Sequence, residues 1–308
     1  MRRGLGLAVL LCASTAAADG NDLDLAKLGT KQADGTYVGD SVAFRSLASQ
    51  LGTVLAPHLL SPADTTGFSG FQLSVDYQYT SIDQGAAAWR ALEGTAPSAM
   101  STVGFFARKG LWFPLPSFEV GVGAVHLVDS HTWAGQLYAK IALHEGYDDL
   151  PLPSIAVRGA VSRMIDQRQL DLTVASIDVS ASKHIGIADT WSLDPYAGWD
   201  LLMIVPRSQV IDPTPNVDPL QMPSAAMANF TFLDQQTIFR NKVFLGAKLK
   251  YDILELTLEG AITLAGTSID DEAGTNTPCS PMTSTPVCDA KDTAALQTSL
   301  ALNAGFDF

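Results

Sequence analysis

Residues 297–308 read QTSLALNAGFDF, preceded by Leu296. Leu296, Leu300, Leu302, Ala304, Phe306 and Phe308 fall on one side of an extended chain. Gln297, Ser299, Asn303 and Asp307 fall on the other. A sustained period of two describes a strand with one apolar and one polar face. Chain ends are usually polar and frayed, so this stretch poses the question of what covers its apolar face up to the last residue.

The same pattern recurs upstream. In FQLSVDYQYTSI (71–82), Phe71, Leu73, Val75, Tyr77 and Tyr79 share one face, and Gln72, Ser74, Asp76, Gln78 and Thr80 share the other. Further strands are expected at 98–109, 118–129, 133–144, 154–164, 170–182, 191–204, 238–251, 254–265 and 295–308, ten in all with an upper bound of about twelve. The segments 98–109 and 118–129 alternate poorly. The segment 170–182 changes phase near Ser176, which predicts a bulge there.

The connections sort by length. Those at 83–97, 130–132, 165–169, 205–237 and 266–294 fall on one side of such an array. Those at 110–117, 145–153, 183–190 and 252–253 fall on the other. All the long connections, rich in Pro, Gly and Asp, share the first side, as the outer loops of transmembrane barrels do.

The start of the chain, MRRGLGLAVLLCASTAAADG, has two arginines, a short apolar run and Ala16-Ala17-Ala18. It reads as a secretory signal peptide, residues 1–18, cut after Ala18. The apolar run is too short to span a bilayer. Removing Arg2 and Arg3 from 19 basic residues leaves 17 against 32 acidic, a formal charge of −15. That balance argues against nucleic acid as a partner. Cys279 and Cys288 remain, and in an exported chain they read as one disulfide closing a short loop. The composition implies no cofactor and no metal site. The chain is 47% hydrophobic with a mean hydropathy of +0.16, yet no later segment has the ~20 apolar residues of a spanning helix. An all-β antiparallel transmembrane barrel over 67–308, in contact with outer-membrane lipid, satisfies these constraints together.

The hairpin at Asp252-Ile253 sharpens that reading. With Tyr251 opposite Leu254, Lys250 faces Glu255, Lys248 faces Thr257, and Glu259 lies on the diagonal. Leu245, Leu249, Leu256, Leu258 and Ile262 occupy the other face. Leucines outward and charges inward suit a polar lumen in lipid. The same phase puts Asp76, Gln78, Arg108, Gln136 and Tyr138 inside. Lys140, Arg158, Asp194, Tyr196 and Asp200 join Lys248, Lys250, Glu255 and Glu259 there. These mixed charges either neutralise one another in a narrow lumen or line a small polar channel. Size favours the former.

Residues 19–66 do not alternate. Asp40-Ser41 offers an N-cap, and Phe44, Leu47, Ala48, Leu51, Val54 and Leu55 form one helical stripe, with Pro57 ending it. Arg45, Ser46, Ser49 and Gln50 lie on the other faces. Such a helix, placed on the periplasmic side, has three places to go: into the lumen, across its mouth, or onto the membrane surface.

The terminal strand ending in Phe308 resembles the C-terminal signature of Gram-negative outer-membrane barrels, which implies recognition by the barrel-assembly machinery and both termini in the periplasm. A segment before the first strand, with Ser61-Pro62-Ala63, resembles the hatch of the long-chain fatty-acid transporter family. LYAKIALHEGYDDLPLPSIAVRGAVS, DVSASKHIGI and PYAGWDL, spanning 137–201, resemble barrel proteins of aromatic-degradation pathways. Both resemblances imply passage of small hydrophobic solutes.

Catalytic motifs are sparse. His144-Glu145 lacks the second histidine of a metalloprotease, and Gly67-Phe68-Ser69-Gly70 lacks the spacing of a nucleophile elbow. His126, Asp129 and His131 sit where a strand reaches the outer rim, the one place for a hydrolase site. The acidic run Asp270-Asp271-Glu272 reads as a solvated loop. Three functions are therefore expected, in order: solute passage without enzymatic activity, a structural or adhesive surface role, and a rim-site hydrolase.

Overall fold

The structure is a computed structural model, which describes residues 19–113, 117–146, 152–188, 190–217, 228–266 and 290–308. The signal peptide, Cys279, Cys288 and Asp270–Glu272 lie outside the described residues.

Ten strands form the barrel: β3 (Phe71–Ser81), β4 (Ala99–Leu111), β5 (Phe118–Leu127), β6 (Trp133–His144), β7 (Ser154–Ile165), β8 (Leu170–Ser182), β10 (Trp191–Ser208), β11 (Ile238–Tyr251), β12 (Leu254–Thr263) and β13 (Gln297–Asp307). Each pairs antiparallel with its neighbours, and the last, β13, pairs with the first, β3, so the sheet closes. Leu302 lies opposite Tyr77 and Phe306 opposite Leu73. Phe71 and Phe308 exchange both backbone hydrogen bonds, at 3.0 and 2.8 Å. Closure thus removes the edge that would fray at residue 308. Two short strands, β1 (Gly29–Lys31) and β2 (Tyr37–Gly39), form a separate hairpin, and β9 (Ile185–Ile187) extends the turn before β10.

The sheet is apolar outside and polar inside. On β3, Leu73, Val75, Tyr77 and Tyr79 are each close to half exposed while Gln72, Asp76 and Thr80 are buried. Trp112, Phe113, Phe68, Phe306, Phe308, Trp191 and Tyr251 crowd one end of the exterior, the placement of an interfacial aromatic girdle. We call this the C-terminal end and the opposite one, with connections 82–98, 128–132, 166–169, 209–237 and 264–296, the loop end. No described helix is long and apolar enough to cross a membrane.

The expected bulge near Ser176 is absent: β8 pairs without a break from Ser162↔Val174 to Ser154↔Ser182. Leu170, Leu172 and Val174 face inward in step with Ser176, Asp178 and Ser180, and all six are buried. The apparent phase change is a change in what the lumen contains. Strand β10 runs beyond its expected end to Ser208, with Pro206 opposite Leu172. Past Ile204 it has β8 on one side but no longer β11, which tolerates the missing proline N–H.

Helix α1 (Ser41–Val54) starts where expected, with Asp40 accepting from the Ala43 N–H at 3.0 Å. Of the three places expected for it, it takes the lumen, but at the end opposite Phe308. Asn21 N–H bonds to Asp129 O (2.9 Å), Leu25 N–H to Gln169 Oε1 (2.6 Å), and α1 packs against β4, β8 and β10. A carbon on Gly52 would lie 2.7 Å from Ile204, near the loop end of β10. Residues 19–54 therefore cap the loop end, opposite Phe308, so the two ends of the described chain do not share one end of the barrel as expected. The reason is that the chain between α1 and β3 runs the length of the lumen.

Candidate functional site

The segment 55–66, LAPHLLSPADTT, has no helical or strand period, and Pro57 and Pro62 have no N–H to satisfy. A buried irregular backbone must still find partners for its other polar groups. The inward residues of the barrel supply them. Gln136 Nε2 donates to Leu55 O (3.3 Å), Lys242 Nζ to Pro57 O (3.2 Å) and Arg158 Nη1 to His58 O (2.6 Å). Arg108 reaches Leu60 O at 3.2 Å. Lys140 Nζ donates to Pro62 O (3.2 Å) and Asp64 O (2.9 Å).

Acceptors answer in the other direction. Glu259 Oε2 takes the Leu60 N–H (3.0 Å), Ser182 Oγ the Ala63 N–H (3.0 Å), Glu145 Oε1 the Thr65 N–H (3.0 Å) and Glu119 Oε2 the Thr66 N–H (2.9 Å). Leu60 takes a positive φ of 44° between the Arg108 and Glu259 contacts.

The same charges neutralise one another: Arg158–Asp178 at 2.6 Å, Lys242–Asp200 at 2.8 Å, Lys248–Glu255 at 2.6 Å and Lys140–Glu119 at 3.3 Å. Tyr138 and Tyr196 donate to Glu119 (2.7 Å) and Glu259 (2.8 Å). Asp76 accepts from Asn303 across the β3–β13 seam, and Gln78 reaches Val54 O at 3.4 Å. Of the inward residues read from the sequence, thirteen are buried. Lys250 is the exception: its side chain is 37% exposed at the C-terminal mouth, where it pairs with Asp307 at 2.7 Å.

Four lumen charges escape the sequence reading: Glu119, Asp178, Arg240 and Lys242. Glu119 hides in a strand whose alternation is broken by Gly121 and Gly123. A side chain at Gly121 would run into the Tyr138 ring, and one at Gly123 into the Phe106 ring. A usable signal exists in the cross-strand register, which sets Glu119 opposite Lys140 and Asp178 opposite Arg158.

The polar side of α1 is buried as well. Arg45 pairs with Asp234 at 3.4 Å, Ser49 donates to Asp292 at 2.6 Å, and Gln50 Oε1 accepts from Asp83 N–H and Trp89 Nε1. Burial pushes the Asp292 carboxyl above its ordinary range, against the opposing pull of Ser49.

The rim residues do not converge. His126 lies against Trp133 with the rings tilted by 30° and their centroids 4.5 Å apart. Asp129 is an exposed turn residue with φ 57°. His131 bonds instead to Asp22, its ring Nδ1 at 2.7 Å and its backbone N–H at 2.7 Å. That contact holds His131 above its ordinary pKa. Asp22 is held below its own, because the hydrogen bonds from His131 and Asp19 outweigh its partial burial. Asp19, Asp22 and His131 bring their ligand-type atoms within 4.8 Å of one another, but Asp22 is already engaged in tethering residue 131.

At the C-terminal end a cavity of about 420 Å³ reaches inward to Ser61, Pro62, Asp64, Thr65 and Thr66, with Gln72, Lys248 and Asp194 in its wall.

No family model matches the chain, and no curated protein matches it. Among solved structures it is similar to Ail, the attachment invasion locus protein of Yersinia pestis, at 9% identity over 78% of this chain and 99% of that one, TM-score 0.29. It is similar to a loop-deletion mutant of OmpT, an outer membrane protein of Vibrio cholerae, at 10% identity over 68% and 55% of the chains, TM-score 0.29. Neisserial surface protein A matches at 13% identity over 77% and 95%, TM-score 0.27. Likeness this distant carries no argument about function, and the barrel rests on its own strand pairing. The expected resemblances to fatty-acid transporters and aromatic-degradation barrels gain no support from these comparisons.

Proposed function

We propose that this is an outer-membrane protein of a Gram-negative bacterium, a barrel sealed by its own N-terminal segment, whose loop end presents a folded cap to the outside. The observation that carries the reading is the threaded segment 55–66, bonded through its backbone to inward side chains of seven strands. A structure that commits so many buried charges to holding a plug is built to stay closed. The apolar exterior and the long loops at one end support a reading with that end outside, as in bacterial barrels generally. The role that follows is structural or adhesive, exerted by the cap; a non-catalytic reading is supported by the failure of His126, Asp129 and His131 to converge on one site. Lipids of the outer membrane and the barrel-assembly machinery are its expected partners.

The test is conductance of the refolded mature protein in a planar bilayer, together with labelling of an epitope inserted at Asp34 in intact cells. Silence and external labelling are expected. Stable conducting steps in the unmodified protein would overturn the sealed reading.

A second reading, solute passage, is favoured by the cavity at the C-terminal end, which ends against residues 61–66. Passage through it requires the threaded segment to move. The hydrophobic character of such a solute rests on the family resemblances alone.

A further inference from the structure

We infer that the cavity at the C-terminal end is a binding site for a small zwitterion, a molecule of amino-acid size with one carboxylate and one ammonium group. Its volume of about 420 Å³ lies in the range of ligand pockets, roughly 300–1,000 Å³. Its wall carries charges of both signs, with three lysines against four carboxylates. A singly charged ion of either sign meets its own sign somewhere on that wall, whereas a zwitterion satisfies both.

The signs alternate along the wall, with Asp194 opposite Lys248 in the β10–β11 register. Lys248 and Lys250 point inward two residues apart on β11. The carboxylates of Asp194, on β10, and Asp64, on the threaded segment, face the same space. Lys250 and Asp194 sit near the mouth, where Lys250 pairs with Asp307 and Asp194 with His184 at 2.6 Å.

The second observation concerns orphaned polar atoms. Gln72 is buried to 1% exposure, yet its Nε2 has no hydrogen-bond partner among the described residues. The same holds for Asp64 Oδ1 and Thr66 Oγ1. All three residues line this cavity. A buried polar group without a partner costs stability, and such groups in native proteins call for an explanation. Gln72 Nε2 is a donor suited to a carboxylate oxygen. Asp64 Oδ1 is an acceptor suited to an ammonium group, and Thr66 Oγ1 serves either. Donor and acceptor thus stand without partners just beneath the wall of one cavity, whose other charges are paired.

This inference does not depend on passage: a sealed barrel can bind a solute at its mouth. The experiment is isothermal titration of the refolded mature protein in detergent with glycine and L-serine, and with acetate and methylamine, which carry the two halves of glycine separately. Saturable one-site binding of a zwitterion is expected, with either half weaker by about tenfold or more. Asp64→Asn and Gln72→Leu should each weaken zwitterion binding by about tenfold, while Asp212→Asn at the loop end leaves it unchanged. Far-UV circular dichroism reports folding, and Asp64→Asn, nearly isosteric and only half-buried, keeps the test sound if Gln72→Leu misfolds. Absence of saturable binding, equal binding of the halves, or full binding by the Asp64→Asn variant would overturn the assignment. Conductance of the same preparation reports separately on the seal.

Discussion

The two halves of the lumen are lined by the same strands at the same inward period, yet they are filled by different chemistry. Toward the loop end, Leu170, Leu172, Val174, Leu202, Ile204 and Ile238 face inward and pack with Phe44, Leu47, Leu51 and Val54 of α1 in one apolar cluster. Toward the C-terminal end the inward positions become Asp178, Asp200, Arg158, Lys140 and Glu119, all buried. The difference follows from what each half holds. A helix satisfies its own backbone and needs only apolar contact on its stripe. The extended segment 55–66 leaves its backbone groups open and needs donors and acceptors around it. The polarity of a barrel interior is thus not by itself a sign of water.

Breaking the polar half should cost most. Arg158→Met removes the partner of Asp178 and of the His58 carbonyl together, leaving a buried carboxylate uncompensated. A loss of about 3–5 kcal/mol is expected, read from the denaturant midpoint of the refolded protein. Adding Asp178→Leu should recover part of it, since removing both ions is far less costly than orphaning one.

In the apolar half, Leu51→Ala opens a cavity beneath α1, where Leu51 is 1% exposed. A cost of about 2–5 kcal/mol is expected from the same measurement. If the polar and apolar variants unfold in separate steps, the halves are independent units and the comparison sharpens. A single shared transition would mean that threading couples them.

A smaller effect tests the start of α1. Asp40→Ala removes the N-cap to Ala43 and an exposed contact with Arg90 at 3.0 Å, and about 1 kcal/mol is expected, nearly all from the cap.

The smallest effect is pH-dependent and confined to the cap edge. His131 has a raised pKa in the folded state, so its contact with Asp22 is fully present below the ordinary histidine value and is lost as pH rises through the raised one. Asp22, held low, contributes above the ordinary carboxylate value and loses that as pH falls through its depressed one. The tether should be strongest in the mildly acidic window between them. Proteolysis of residues 19–25 should then accelerate as pH rises past neutrality in the unmodified protein. In the His131→Gln variant this dependence should vanish, and its persistence would assign the effect elsewhere.

The ten barrel strands, α1 with its Asp40 cap, and the Lys250↔Glu255 and Lys248↔Thr257 pairings were legible in the amino-acid order, while the short β1, β2 and β9 were not. The reason is physical: each depends on a local period or a short turn, and an apolar exterior against an inward face enforces the alternation on most strands, least on glycine-broken β5. The path of residues 55–66 had no such signal. Its partners lie far away in the chain, 201 positions for His58 with Glu259 and 53 for Thr66 with Glu119, and an irregular segment carries no period to announce them. Only the closed tertiary structure decided that this segment crosses the lumen. That crossing put the cap at the loop end and set the mixed inward charges against the backbone of the threaded segment as well as against one another.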